Sequence, residues 1–301
     1  MFGTLVRPPA AVLAMYFFAG TGAAFALTPI PEPSPSLHAP RWIVIDAISK
    51  RVLLARAPDE QDHPASTSKL LTLILWHRWV ADRDQKVVIT GDHLEHGTTA
   101  RLQVGDEVSL GALAYAMILP SGNEAARAIA DYVGRLIRER GGAKAGTTNE
   151  NIARFVEEMN VVAKELGCRS SNFTAPSGAS GRPVSTARDL ALIGAEASRH
   201  PDVLEVLRAP TYTIVVTGPN ARAHSIKSRT ASLARDDGFL GAKTGSTGAS
   251  PRSSQTGALV AIWDIAGRRV VAVTLDSGGA RNRTNDARAL VAAARDAIRR
   301  P

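Results

Sequence analysis

Cysteine is nearly absent. Cys168 stands alone in 301 residues, which excludes an intrachain disulfide framework and a cysteine-based structural zinc site. Aromatic residues make up only 5% of the chain, so any core must be mainly aliphatic. Acidic residues are in deficit, 28 against 36 lysines and arginines, for a formal net charge of +8. No apolar run beyond the first 26 residues approaches the length of a membrane span, which excludes a polytopic membrane protein. What is present in quantity is ordinary. Apolar residues at 45% and charged residues at 21% suffice for a sizeable core and exclude a mainly disordered chain. The length suits about two domains, or one large domain with an insertion. A basic surface favours anionic partners without selecting among them.

The first residues bear on compartment. Residues 1–26 carry one charge, Arg7, then an apolar stretch from Ala10 to Phe18 and the small-x-small pattern Ala24-Phe25-Ala26. They read as a secretory signal peptide, because the stretch is too short and glycine-broken for a spanning helix. Residues 27–40 follow as a proline-rich tether, with four prolines between Leu27 and Ser36. The expected location is therefore periplasmic or extracellular. Export points away from nucleic acid and towards an anionic envelope polymer.

Along the remainder, Arg41–Asp46 and Val52–Arg56 read as a β-hairpin. From Ser66 to about Ala81, Leu70, Leu71, Ile74, Leu75 and Trp79 recur at helical steps. Short strand-like pieces lie around 87–89 and Val104. Helices are expected over 110–119 and 124–138, flanking a Pro-Ser-Gly-Asn break, and over 152–166 and 186–198. The last third turns to strands at 238–244, 257–264 and 269–276, with a turn at Gly267, and then a closing helix over 284–299. Strands at both ends with helices between them predict an α+β fold. One antiparallel sheet is built from both chain ends with flanking helices, and a mostly helical lobe is inserted over about 85–200 of a 41–300 domain. A cleft is expected where sheet and lobe meet.

Three short elements could carry chemistry. Ser66-Thr-Ser-Lys69 opens the first strong helix, and an i, i+3 spacing puts serine and lysine on one face. A helix N-terminus suits a developing oxyanion, and a lysine of depressed pKa can take the hydroxyl proton. The plain alternative is an N-cap serine and a solvated lysine. Ser121-Gly-Asn123 places a hydroxyl and a carboxamide on one turn, yet a turn with a capping asparagine would look the same. Ser170-Ser-Asn172 repeats that spacing. Lys243-Thr244-Gly245 ends a candidate strand, where lysine and threonine make a carboxylate-binding pair and glycine admits a substrate backbone. The alternative is a strand end with a solvated lysine. Singly these are weak. Together and in this order they form the signature of penicillin-recognising serine enzymes.

Here the chain resembles the serine D-alanyl-D-alanine carboxypeptidases, the low-molecular-mass penicillin-binding proteins. The resemblance extends to Pro64–Thr72, Leu119–Ala126, Phe155–Asn160, Ala163–Gly167, Ser171–Phe173, Pro176–Gly178 and Ser185–Leu190, in family order over about residues 41–300. It implies that Ser66 is the acylated nucleophile, Lys69 its base, and Ser121 the group that passes the proton to the leaving amine. It further implies that Asn123 holds the peptide and Lys69, and that Lys243 and Thr244 bind the terminal carboxylate. Gly245 would lie against the substrate, and the backbone amides of Ser66 and Ser246 would form the oxyanion hole. Arg188 is a further candidate for carboxylate steering, with a surface ion pair as its alternative. The implied partners are peptidoglycan stem peptides and β-lactams, with no cofactor, metal, nucleic acid or stable membrane anchor. Many members carry a second β-rich domain and an amphipathic anchor, which are not expected here. Some members of the shorter shape cleave cross-links as endopeptidases. The polar loop Ser246–Ser254 leaves the pocket's shape open.

Other classes fit less well. A β-lactamase needs a deacylating base, and no Glu-x-x-Leu-Asn segment is present. The stretch Gly178-Ala-Ser-Gly181 lacks the final glycine of a nucleophile elbow. His93-Leu-Glu-His96 lacks the H-E-x-x-H order of a zinc site and is expected to be solvated. An inactive wall-binding module would be expected to lose one of the three motifs. Cys168 reads as a small packed residue. The arginines of 281–300 could face wall polymer, against the plainer expectation of a solvated helix face.

Overall fold

Side chains alternate along Arg41–Asp46, sending Trp42 and Val44 to one face and Ile43 and Ile45 to the other, and all four are buried. Such a strand needs cover on both sides. The computed structural model, which describes residues 37–144, 146–246 and 257–299, supplies it. The expected signal peptide, most of the tether, residues 247–254 of the polar loop and Arg300 lie outside the described residues.

This strand, β1, pairs with β2 (Val52–Arg56) and with β9 (Arg268–Leu275). β8 (Gly257–Ile265) and β7 (Phe239–Ser246) complete an antiparallel sheet of order β2-β1-β9-β8-β7. The sheet is thus assembled from both chain ends, as the sequence predicts. β8 and β9 are joined through Ala266 and Gly267, both at positive φ (53° and 78°), as a tight two-residue hairpin turn demands.

Each sheet face meets a different layer. Helix α7 (Ala280–Arg299) lays Ala287, Leu290, Val291 and Ala294 into a cluster with Trp42, Val44, Phe239, Leu259 and Trp263. The opposite face, with Ile43, Ile45, Val260, Ile262, Val271 and Val273, joins the larger helical core. That core includes α1 (Lys69–Trp79), α2 (Leu110–Ile118), α3 (Asn123–Arg140), α4 (Thr148–Glu165), α5 (Ala187–Ala197) and α6 (Pro201–Arg208).

Several details differ from the pattern expected. The run from Ser66 begins with a 3-10 turn, Ala65–Ser68, and α1 itself is buried on every side from Lys69 to Trp76. It is a central helix, so its apolar residues form no single stripe. Helix α5, placed at the end of the helical lobe by sequence, packs on β1, β8 and β9. The strand-like piece at Val104 is a turn, and the strand is β4 (Glu107–Ser109), paired with β3 (Lys86–Val88). Helix α6 and the hairpin β5 (Thr211–Val216)–β6 (Arg222–Lys227) have no counterpart in the sequence reading. Among the described residues no helix is long and apolar enough to cross a membrane.

Candidate active site

Strand β7 is an edge strand, and its C-terminal end faces the 3-10 turn that carries Ser66. The approach is close: a Cβ on Gly245 would stand 2.8 Å from the carbonyl oxygen of Pro64 and 3.1 Å from the Ala65 Cβ. From the other side comes the loop Pro176-Ser-Gly178, where Gly178 sits at φ +69° and a Cβ would fall 2.1 Å from the Ala65 carbonyl oxygen. Any side chain at either position would push the turn out of place. Ser66 is thereby held at the floor of a cleft of about 560 Å³ that Ser121, Asn123, Thr244 and Ser246 also line.

Lys69 is the first residue of α1, directly after the 3-10 turn, and is 0% exposed. Its Nζ donates to Ser66 Oγ at 3.0 Å, Asn123 Oδ1 at 2.8 Å and the Ser177 carbonyl at 2.9 Å. Three acceptors match the three protons of an ammonium. Burial nevertheless disfavours the charge and brings this lysine down to about 7, against the opposing pull of Glu95 and Glu124. Asn123 is fixed in turn, its Nδ2 donating to the His96 carbonyl at 2.8 Å and its backbone amide to the Thr98 carbonyl at 2.8 Å. Its side chain therefore serves the cleft and does not cap α3, which begins after Gly122 with no side-chain cap.

Ser121 is buried and held at φ +70°, uncommon for a residue with a side chain. Lys243, 1% exposed, donates to Ser121 Oγ at 3.0 Å and to the Thr244 carbonyl at 2.7 Å. Burial holds Lys243 well below the ordinary lysine range, and the neighbouring cations Lys69, Arg229 and Arg283 push the same way. Arg283, reaching in from α7, donates to the Gly245 carbonyl at 2.8 Å and to Ser246 Oγ at 2.7 Å, fixing the end of β7. Arg229 lines the cleft and donates through Nε to the Pro120 carbonyl at 2.9 Å.

The structure thus brings Ser66, Lys69, Ser121, Asn123, Lys243, Thr244, Gly245 and Ser246 together and leaves one candidate out. Arg188 does not line the cleft. Its guanidinium binds Asp59 at 2.6 and 3.0 Å on an exposed surface, because α5 starts beside the loop at Pro58, whose carbonyl accepts from the Arg188 amide. Cations do reach the site, but from Arg229 and Arg283. Neither has a local sequence signal, since Arg229 falls in the unassigned stretch before β7 and Arg283 in a run of arginines.

The remaining candidates resolve locally. His93 is buried, not solvated: it closes a capping box with Thr90 and meets Asp131 at 3.1 Å through Nε2. No group of three or more potential metal ligands occurs among the described residues. Ser170-Ser-Asn172 ties into structure, with the Ser170 amide and Ser171 Oγ both donating to Asp189. Cys168 is packed, and burial pushes its thiol up to about 12. In α7, Arg288 pairs with Asp236 and Arg295 with Asp237, so these two do not stand free for an outside polymer.

A sheet drawn from both chain ends, with a serine–lysine pair between it and a helical region, defines the β-lactamase/transpeptidase-like fold. The crystal structure of the Streptomyces K15 DD-transpeptidase superimposes with a TM-score of 0.76 at 25% identity, covering 86% of this chain and 98% of that one. Residues 28–279 match the S11 peptidase family model, described as D-alanyl-D-alanine carboxypeptidase, and the chain belongs to that family. Among relatives, the D-alanyl-D-alanine carboxypeptidase DacC of Escherichia coli K12 is 35% identical over 207 residues, 64% of this chain and 47% of its own. A D-alanyl-D-alanine endopeptidase of the same organism is 27% identical over 197 residues, 62% of this chain and 59% of its own. The match to the carboxypeptidase therefore spans about half of that protein's length.

Proposed function

We propose that this protein is a serine DD-peptidase that removes the terminal D-alanine from peptidoglycan stem pentapeptides through an acyl-enzyme on Ser66. One observation carries the reading: Ser66 and Ser121 each accept a hydrogen bond from a buried lysine, at 3.0 Å in both cases, and both serines line one cleft. Such a pair can move a proton on at the front of a reaction and return it at the back.

In this reading the Ser66 Oγ attacks the carbonyl carbon of the penultimate D-alanine while its proton passes to neutral Lys69. The backbone amides of Ser66 and Ser246 donate to the oxyanion. The carbon–nitrogen bond then breaks, Ser121 gives its proton to the departing amine, and the proton that Lys69 took from Ser66 replaces it on Ser121, which leaves Lys69 neutral again and Lys243 charged throughout. Lys243 and Thr244 hold the substrate's terminal carboxylate, with Asn123 and Gly245 along its backbone. Water finally releases the acyl group from Ser66. A β-lactam offers a strained carbonyl near a carboxylate and would acylate Ser66 by the same route. Residues 1–26 act as the export signal in this reading, which places the enzyme where its polymer is.

A cross-link endopeptidase is the second reading, favoured by the relative of that name. Both use the same D-alanyl carbonyl and differ in the amine that leaves. The test is a product analysis of the purified protein on a mixture of pentapeptide monomers and cross-linked muropeptide dimers. Free D-alanine with intact dimers is the expected result. Loss of dimers to monomers would establish the endopeptidase. No change in either, with no penicillin adduct on Ser66, would reject both.

A further inference from the structure

Lys69 has two protein acceptors besides Ser66, and a carboxylate stands behind each. The first acceptor is the Ser177 carbonyl. The Ser177 hydroxyl donates to Glu95 Oε2 at 2.5 Å, so Glu95 fixes the residue on which Lys69 rests. The second is Asn123 Oδ1, and the next residue, Glu124, is 2% exposed. Glu124 Oε1 accepts from the Ala100 amide and from Thr99 Oγ1, both at 2.6 Å. That clamp secures the loop whose Thr98 and His96 carbonyls hold Asn123. Glu124 Oε2 is buried and makes no hydrogen bond among the described residues. A buried carboxylate with a bare oxygen is costly unless a nearby cation compensates it. The cation on hand is Lys69.

We infer that Glu95 and Glu124 are positioning residues for the Ser66 reaction: each fixes one acceptor of Lys69, and together they stabilise the ammonium that Lys69 becomes on taking the Ser66 proton. This rests on the peptidase reading for its catalytic consequence, but not for its electrostatics. The proton balance is simple: the Ser66 O–H bond breaks, an N–H bond forms on Lys69, and no other group changes charge on the protein. Around Lys69 the charged and titratable groups are Glu95 and Glu124 on one side and Lys243 and Arg229 on the other, with His63 and His96 on the cleft wall. Burial and Arg229 depress the lysine, and the two carboxylates oppose them. Without the carboxylates the base would be too weak to accept the serine proton readily. With them it titrates where neutral and charged forms interconvert at little cost, which general-base catalysis requires.

The experiment titrates Lys69 directly, by the ¹³Cε shift of labelled lysine, in the unsubstituted protein and in Glu124→Gln, Glu95→Gln and the double variant. Glutamine keeps the Oε1 acceptor of residue 124 and removes only the charge, and the half-buried Glu95 provides a variant less exposed to folding failure. Each single variant should lower the Lys69 midpoint by about half to one pH unit, and the double variant by more than either. Acylation of Ser66 by penicillin should then show its acid limb moved down by the same amount, with a plateau about threefold lower for each unit. Midpoints unchanged in folded variants would overturn the inference, as would a fallen plateau with an unmoved limb, which marks a merely structural role. If the unsubstituted protein takes no penicillin at Ser66, the peptidase reading falls while the midpoints still decide the electrostatic claim.

Discussion

The two walls of the cleft each bury a lysine, and they surround it differently. On the helical wall, Lys69 is met by neutral acceptors backed by Glu95 and Glu124. On the sheet wall, Lys243 has the cations Lys69, Arg229 and Arg283 around it, and every group that shifts it pushes it downward. The same residue type is thus prepared for opposite tasks. A lysine balanced by carboxylates can gain and lose a proton near neutrality. A lysine set among cations is a poor place for a proton until an anion arrives, and then the whole cluster favours that anion. In the proposed function that anion is the substrate's terminal carboxylate.

That contrast breaks most sharply on the helical wall. Lys69→Met, which fills a similar volume without a base, should lower Ser66 acylation by about 10²–10⁴, or ~3–5 kcal/mol of transition-state stabilisation, in a folded protein. Stopped-flow acylation by a fluorescent penicillin measures it. A loss under tenfold would remove Lys69 from the role of base. On the sheet wall, Lys243→Met should cost about 10²–10³ in kcat/KM for a peptide ending in D-alanyl-D-alanine. The deficit should shrink when the peptide's terminal carboxylate is amidated, because the lost interaction is with that charge. Equal losses on acid and amide would mean that the sheet wall does not read the carboxylate.

The walls were unequally legible in the sequence. Fold class and the serine–lysine, Ser-x-Asn and Lys-Thr-Gly elements could be read because each is a local pattern on a recognisable helix or strand. Local pattern fails where the decision is made by distant packing. Ser121-Gly-Asn123 and Ser170-Ser-Asn172 share a spacing, yet the first meets the two lysines and the second meets Asp189. Only the positions of α1, α5 and β7 separate them. Arg229 and Arg283 escaped for the same reason, each arriving at the cleft from a segment with no pattern of its own. His93 looks like a solvated loop residue until Asp131 of α3 is packed against it.

Arg229 offers the finer test of the electrostatic contrast. It depresses both lysines, so Arg229→Gln should raise both. The sign follows from removing a like charge: the ammonium of Lys69 becomes easier to form, its midpoint rises from about 7, and the free base needs a higher pH. The acid limb of acylation should move up by about half to one pH unit, a three- to tenfold loss at the foot of the limb. This is opposite in direction to the glutamate variants. A limb that moves down, or does not move, would break the division between a carboxylate-backed wall and a cationic one.

The smallest effect concerns an arginine outside the contrast. Arg188 is bound to Asp59, the pair is 35% and 66% exposed, and neither residue lines the cleft. Exposed pairs of this kind contribute at most ~1 kcal/mol, because water solvates both partners almost as well apart. Arg188→Gln should therefore shift Tm by a few degrees at most and leave kcat/KM for a carboxylate-ended peptide within about twofold. The comparison that matters is with Arg229→Gln under the same assay. If Arg188→Gln instead raised KM tenfold at unchanged Tm, the substrate's path would run over α5, and the carboxylate would be read by a surface arginine before it met the buried lysine.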